Sequence, residues 1–269
     1  MPTTTALDCA RGLDSFEACN RAYWTRRAES YSEQHKAELS CWQREAWTRE
    51  LEGRIRDFFP DRAPRELRVL EVGCGPGFLS LVAAGLGCRV WAVDCTPAML
   101  DEARGNAAAE GLAVDFRLGS AEGLDFEDAG FDLVVSRNLT WNLPSPHDAY
   151  REWARVLVPG GVLLNYDANW YAYLVDEDSR HGWEEDRARV ARSGLRDHVM
   201  LGEPALMEEL AGELPASALS RPAWDLQILH SLGLEVLVDP YVSDRVWSEE
   251  EHIGQASTPL FGVFARKPS

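Results

Sequence analysis

Val69-Leu70-Glu71-Val72-Gly73-Cys74-Gly75-Pro76-Gly77 is an apolar run that breaks into three glycines at alternate positions. Apolar, β-branched residues ahead of such a break predict a buried strand, and the Phe78-Leu79-Ser80-Leu81 run beyond it predicts a helix. Glycines at a strand-to-helix turn permit positive φ and bring backbone close to a ligand with no Cβ in the way. The dinucleotide-binding spacing GxGxxG is met only imperfectly, because one residue rather than two separates Gly75 from Gly77. An adenosine-bearing cofactor is therefore expected at the turn, and its identity must come from elsewhere in the chain.

Outward from the turn, short apolar runs alternate with amphipathic stretches, the signature of a parallel sheet wound with helices. Strands are predicted at Arg68 to Val72, Arg89 to Asp94, Val114 to Leu118, Phe131 to Ser136 and Val162 to Tyr166, with helices at Gly77 to Gly87, Pro97 to Glu110 and His147 to Leu157. Asp94 closes the second strand, where a carboxylate can accept hydrogen bonds from both ribose hydroxyls. Upstream, apolar residues spaced through 14–59 predict two amphipathic helices ending before Pro60. Downstream, 168–221 is too long for a simple connection and is expected to form a helical cap over a functional site. Pro222 to Leu232 then reads as a helix, with strands at Leu234 to Val238 and Leu260 to Ala265. The expected organisation is a helical cover at 1–66, a cofactor-binding core at 67–167, a cap at 168–221 and completion of the core sheet at 222–269.

Four ordered blocks carry a family likeness: the Glu71 to Gly77 turn with Asp94, Gly119-Ser120-Ala121-Glu122, Phe131 to Asn138, and Arg155-Val156-Leu157-Val158-Pro159-Gly160-Gly161. With them the sequence resembles the class I methyltransferases that use S-adenosylmethionine (SAM), in particular the ubiquinone and menaquinone biosynthesis subgroup, over about residues 20–167. The resemblance implies an α/β fold, a Rossmann-like seven-stranded sheet, mostly parallel with an antiparallel last strand. It also implies SAM as cofactor. Glu71, Gly73, Cys74, Gly75 and Gly77 would then hold the methionine end, largely through backbone, with Asp94 on the ribose and Cys95 and Met99 beside the adenine. Ser120 and Ala121 would face the adenine's polar edge, although many relatives carry an aspartate where Ser120 stands. Arg137 and Asn138 would lie by the methionine moiety and the methyl group, and Tyr31 would fold over the cofactor from the first helix.

Methyl transfer from a sulfonium is an in-line displacement, so positioning and exclusion of water come first, and a base is required only for an acceptor that must lose a proton. The aromatic and amide residues after strands four and five are expected to form the acceptor pocket: Trp141, Asn142, Asn169, Trp170 and Tyr171, with Tyr166 at its edge. Asp167 is the first candidate for a general base and His147 the second. A small acceptor is expected, and the aromatics with the acidic surface suggest a cationic or amine-bearing one. The alternatives weighed are a non-catalytic SAM-binding regulator, a protein methyltransferase and an NAD-dependent oxidoreductase. An arsenite methyltransferase would need thiols in the later half of the chain, and none follows Cys95.

The 269 residues carry 27 Lys and Arg against 44 Asp and Glu, a net charge of −17, with Lys36 and Lys267 as the only lysines. Such a balance disfavours a phosphate backbone as partner, so no nucleic acid is expected. No apolar run approaches the roughly 20 residues of a membrane span, and the first residues lack the features of a secretory signal, so a cytoplasmic protein is expected. The six cysteines, Cys9 to Cys95, include no CxxC pair, and no metal site is expected. No feature of the sequence sets an oligomeric state.

Overall fold

A computed structural model describes residues 16–195, 197 and 203–269. In chain order the elements are α1 (Phe16–Leu39), α2 (Trp42–Phe58), β1 (Arg68–Val72), α3 (Phe78–Gly85), β2 (Arg89–Asp94), α4 (Pro97–Glu110), β3 (Val114–Leu118), β4 (Phe131–Arg137), α5 (Pro146–Val156), β5 (Leu157–Asp167), α6 (Glu177–Ser193), α7 (Pro204–Gly212), α8 (Ala223–Ser231), β6 (Glu235–Asp239), α9 (Ser243–Val246), α10 (Glu249–Gly254) and β7 (Phe261–Arg266). The strands form one sheet in the order β3-β2-β1-β4-β5-β7-β6, parallel except where β7 runs antiparallel to β5 and β6. This is the expected Rossmann-like arrangement.

The central strands are apolar because helices cover both faces of the sheet. On one face Trp47, Leu51, Phe78, Leu79, Tyr166 and Phe264 pack into a single core with α2 and α3. On the other, Tyr150, Trp153 and Leu229 bring α5 and α8 against Leu70, Val134 and Leu163. The strand order reverses between β1 and β4, and the crevice at their carboxyl ends is where ligands bind in open α/β sheets.

Three further facts shape that crevice. β5 is longer than predicted, because Gly160, at φ +77°, lets Val158 to Gly161 stay in the sheet, with Gly160 N–H donating to Lys267 and Lys267 N–H to Gly161. The cap at 168–221 is helical where described, and Leu206, Met207, Leu210 and Leu214 pack onto Cys19 and Tyr23 of α1 and onto Trp141. The first helix and the cap thus share one apolar seam above the crevice. Among the described residues no helix is long and apolar enough to cross a membrane, and Cys9 lies outside them.

Candidate active site

The glycine turn is built to hold its shape without a ligand. Gly73, Gly75 and Gly77 adopt φ of +67°, +52° and +91°, and a Cβ on Gly73 would sit 2.5 Å from Leu139. Gly73 and Cys74 N–H both donate to Val93 O, at 2.8 and 3.0 Å, and Gly77 N–H to Cys74 O at 2.8 Å. Gly75 N–H donates to Asp94 Oδ2 at 2.9 Å, while Asp94 Oδ1 accepts from Thr96 N–H at 2.8 Å. Glu71 fills the N-terminus of α3, where its Oε2 accepts from Ser80 N–H at 2.6 Å and from the Ser80 hydroxyl.

This arrangement separates the two cofactors that the glycine spacing left open. A dinucleotide turn offers free amides and an open helix N-terminus to a pyrophosphate. Here the amides are engaged, Pro76 has none, and a carboxylate already sits at the positive end of the helix. A second anion has no place there.

A cleft of about 620 Å³ lies over the turn, walled by Glu71, Asp94, Met99 and Arg137 from the core and by Tyr31 and His35 from α1. Its charges are arranged by position. Burial raises the Asp94 pKa against the pull of the Thr96 and Gly75 amides, and burial pushes Glu71 up to about 7 despite its bonds to Ser80. Arg137 lies across the rings of Phe78 and Trp47, 4.2 and 4.8 Å from their centres, and its Nη2 donates to Glu38 Oε2 at 2.7 Å. Its Nε and Nη1 are buried without a partner. Asn138 holds a left-handed backbone at φ +55°, which among non-glycine residues asparagine tolerates best. Burial, helped by Arg137, drives the His35 pKa well down, so its imidazole is neutral.

Nine of the twelve residues expected at the cofactor line this cleft: Glu71, Gly73, Cys74, Gly75, Asp94, Cys95, Met99, Arg137 and Tyr31. Ser120 and Ala121 line its continuation past Cys95 and Asn142. Gly77 instead shapes the turn, facing Ala103 and Phe116. His35 and Phe78 were missed. His35 follows Tyr31 by one helical turn, a spacing the sequence displays.

A second cavity, of about 910 Å³, opens beside the first and shares Trp24, Tyr31 and Asn138 with it. Trp141, Trp170 and Tyr171 line this chamber, joined by Tyr173, Trp183 and Arg187 of the cap. Tyr173 and Trp183 stack with centres 4.7 Å apart, and Trp141 and Tyr171 meet at 5.0 Å.

Several sequence expectations need correction. Asp167 has no exposed surface and no place on either cavity. It accepts from Trp141 N–H and Ala168 N–H, both at 2.9 Å, and from Arg221 Nη1 at 2.7 Å, so it is a buried ion pair that fixes the Trp141 turn rather than a free base. Tyr166 is core, packed edge-on against Trp47 and Phe264, with its hydroxyl toward Glu50. His147 is exposed in the first turn of α5 beside Asp148. Asn169 donates to Arg221 O at 2.8 Å and lines neither cavity, and Asn142 belongs to the cofactor cleft, not the chamber.

Residues 70–165 match a family model described as a methyltransferase domain. These residues are a methyltransferase domain. Among curated relatives, the ubiquinone biosynthesis O-methyltransferase of Xanthomonas axonopodis pv. citri is 42% identical over 102 residues, 38% of this chain and 43% of that protein. The enzyme of the same name from Methylocella silvestris is 32% identical over 175 residues, covering 63% of this chain and 64% of that one. The chain thus spans less than two thirds of the length of these relatives. Two solved structures share the fold. One is a SAM dependent methyltransferase from Aquifex aeolicus (TM-score 0.50, 19% identity, 80% of this chain and 88% of that one). The other is phosphoethanolamine N-methyltransferase 2 of Haemonchus contortus (TM-score 0.53, 17% identity, 80% and 52%). For a methyltransferase domain the cofactor is SAM, and the cleft suits it. An acid and a half-free guanidinium at one end match an amino acid's two charges, and the carboxylate beside the glycines matches a ribose.

Proposed function

We propose that the chain transfers the methyl group of SAM to an oxygen nucleophile on a small, flat acceptor. The observation that carries this reading is the junction of the two cavities across Trp24, Tyr31 and Asn138, which joins the cleft over the glycine turn to an aromatic chamber. Oxygen as the accepting atom is supported by the relatives named as O-methyltransferases.

When bound, SAM supplies an electrophilic methyl group. Asp94 holds the ribose, Arg137 the carboxylate and Glu71 the ammonium of the methionine end. The fixed turn and the cap confine the acceptor, which raises the effective concentration of the nucleophile. Among the described residues the chamber wall contains one carboxylate, Asp186, and it is engaged by Arg189 and by the amide and hydroxyl of Ser257. The wall's phenols stay protonated and offer no base, since burial raises Tyr31 and carries Tyr173 up beyond the ordinary phenol range. An acceptor hydroxyl is therefore expected to lose its proton to solvent, before attack.

Calorimetry with the Asp94→Asn variant tests the cofactor assignment. Saturable micromolar SAM binding by the parent chain and a loss of about tenfold or more in the variant are expected, in line with a charge-assisted hydrogen bond. Equal affinities would overturn it.

A further inference from the structure

The cofactor cleft continues past Cys95 into a third cavity, of about 700 Å³, walled by Asn20 and Arg21 of α1, by Ser120 and Glu122, and by Asn142 and Leu143. This cavity keeps Gly73 and Asp94 on its wall and leaves out Glu71 and Arg137. A cofactor whose methionine end lies on those two charges, with its ribose at Asp94, therefore puts its purine here.

Most hydrogen-bond acceptors on the wall are already engaged. Asp94 takes the Gly75 and Thr96 amides on its two oxygens and stands at the ribose. Glu122 Oε1 accepts from Ser145 N–H at 2.5 Å. The Ser120 hydroxyl accepts from Glu122 N–H at 3.2 Å, and Ser120 is exposed, so the serine that stands where many relatives carry an aspartate closes its own turn. Arg21 offers donors alone.

Two acceptors remain. Asn20 Oδ1 and Asn142 Oδ1 are buried and find no partner among the described residues. The two side chains come from distant parts of the chain and meet: Asn20 Nδ2 donates to Asn142 O at 3.5 Å, which turns the Asn20 oxygen away from that contact. Both are firmly seated. Cys19 and Tyr23, to either side of Asn20, are locked into the seam with the cap, and Asn142 N–H donates to Leu139 O at 2.8 Å. A buried carbonyl oxygen without a donor costs about as much as a lost hydrogen bond, and a pair of them calls for a guest with two N–H groups close together. The exocyclic amine of adenine carries two on one nitrogen.

We infer that Asn20 and Asn142 determine specificity for the cofactor's base, each Oδ1 accepting one hydrogen of the adenine amine in place of the aspartate that relatives carry at the Ser120 position. This deepens the SAM reading of the cleft and rests on it. It also gives α1 a part at both ends of the cofactor, with Asn20 at the purine and Tyr31 and His35 over the glycine turn.

The test titrates the whole chain by calorimetry, without turnover, with S-adenosylhomocysteine and with its 6-deamino analogue, in which hydrogen replaces the amine and the ring nitrogens are kept. The parent chain is expected to prefer the amine-bearing ligand roughly tenfold or more, as two hydrogen bonds to buried acceptors require. Asn142→Leu and Asn20→Leu should each reduce that preference several-fold by weakening S-adenosylhomocysteine alone, with the affinity of the deamino analogue held within about twofold. Asn142→Asp keeps an acceptor oxygen and should keep the preference. A parent preference below about twofold, an unchanged preference in Asn142→Leu, equal losses for both ligands in the leucine variants, or loss of the preference in Asn142→Asp would overturn the inference. Binding of S-adenosylhomocysteine with any of these results sinks this inference alone, whereas failure of the parent chain to bind either ligand sinks the SAM reading and this inference with it.

Discussion

Glu71 gives the fold a measurable weakness. Its carboxylate is buried at the N-terminus of α3, and burial lifts its pKa from 4.5 to about 7 even though Ser80 donates to it twice. The folded chain thus holds a proton that the unfolded chain has released. Stability from this group is complete below pH 4.5 and drains away as pH rises through 7. A gap of about 2.5 pH units, at about 1.4 kcal/mol each, amounts to about 3 kcal/mol lost by pH 8. Glu71→Gln removes the titration and keeps the contacts, since its carbonyl oxygen in the place of Oε2 can accept from both the Ser80 N–H and the Ser80 hydroxyl. Cofactor-free melting curves from pH 5 to pH 8.5 should show the two proteins near parity in acid. The variant should be ahead in mild alkali by an amount on the order of 5–10 °C for a chain of this size. Parallel curves across that range would refute the reasoning, because only a titrating Glu71 makes the difference between the proteins depend on pH.

Arg221→Met leaves Asp167 and Asp225 buried without their shared cation, and should cost about 3–5 kcal/mol in urea unfolding. A loss below about 1 kcal/mol would mean that the two carboxylates reach water. Gly73→Ala places a methyl group 2.5 Å from Leu139 at φ +67°, so a penalty of about 1–3 kcal/mol and weakened SAM binding are expected by melting and calorimetry. His147→Ala changes an exposed residue away from both cavities, and unfolding should shift by less than about 0.5 kcal/mol with kcat/KM unaltered. For phenolic acceptors the pH dependence of kcat/KM should follow the acceptor's own ionisation. Two acceptors whose hydroxyl pKa values differ should give profiles displaced by that difference, and a common inflection would reveal a base supplied by the chain.

The cofactor half of the site was legible in the sequence because consecutive residues build it. Strand period, three glycines and Asp94 lie within 25 or so residues, and the bonds that shape the turn run between neighbouring strand ends, so local pattern and final geometry coincide. Even there the reading stopped short of the chemistry. Gly73 to Gly77 read as a turn whose backbone approaches an adenosine-bearing cofactor of either kind, whereas the amides are bonded inward and Glu71 occupies the helix end. Only the pairing shows which of its amides are already taken.

The acceptor half is assembled from α1, the Asn138 to Trp141 turn, the end of β5 and the cap, and residues far apart in the chain decide each role. Asp167 stands where a catalytic acid would stand, at the carboxyl end of a strand, but its partner Arg221 lies 54 positions on. Tyr166, its neighbour in β5, turns into the Trp47 and Phe264 core because strand residues alternate faces. Conversely Trp183 and Arg187, one turn apart on α6, stand in a cap whose inward residues the sequence does not single out, and the apolar seam of α7 seats that cap on α1. Least accessible of all was the chamber's balance of hydrogen-bonding groups, because it depends on which carboxylates are already satisfied and which indole N–H groups are not: Asp186 is taken by Ser257 and Arg189, while Trp183 Nε1 has no partner among the described residues.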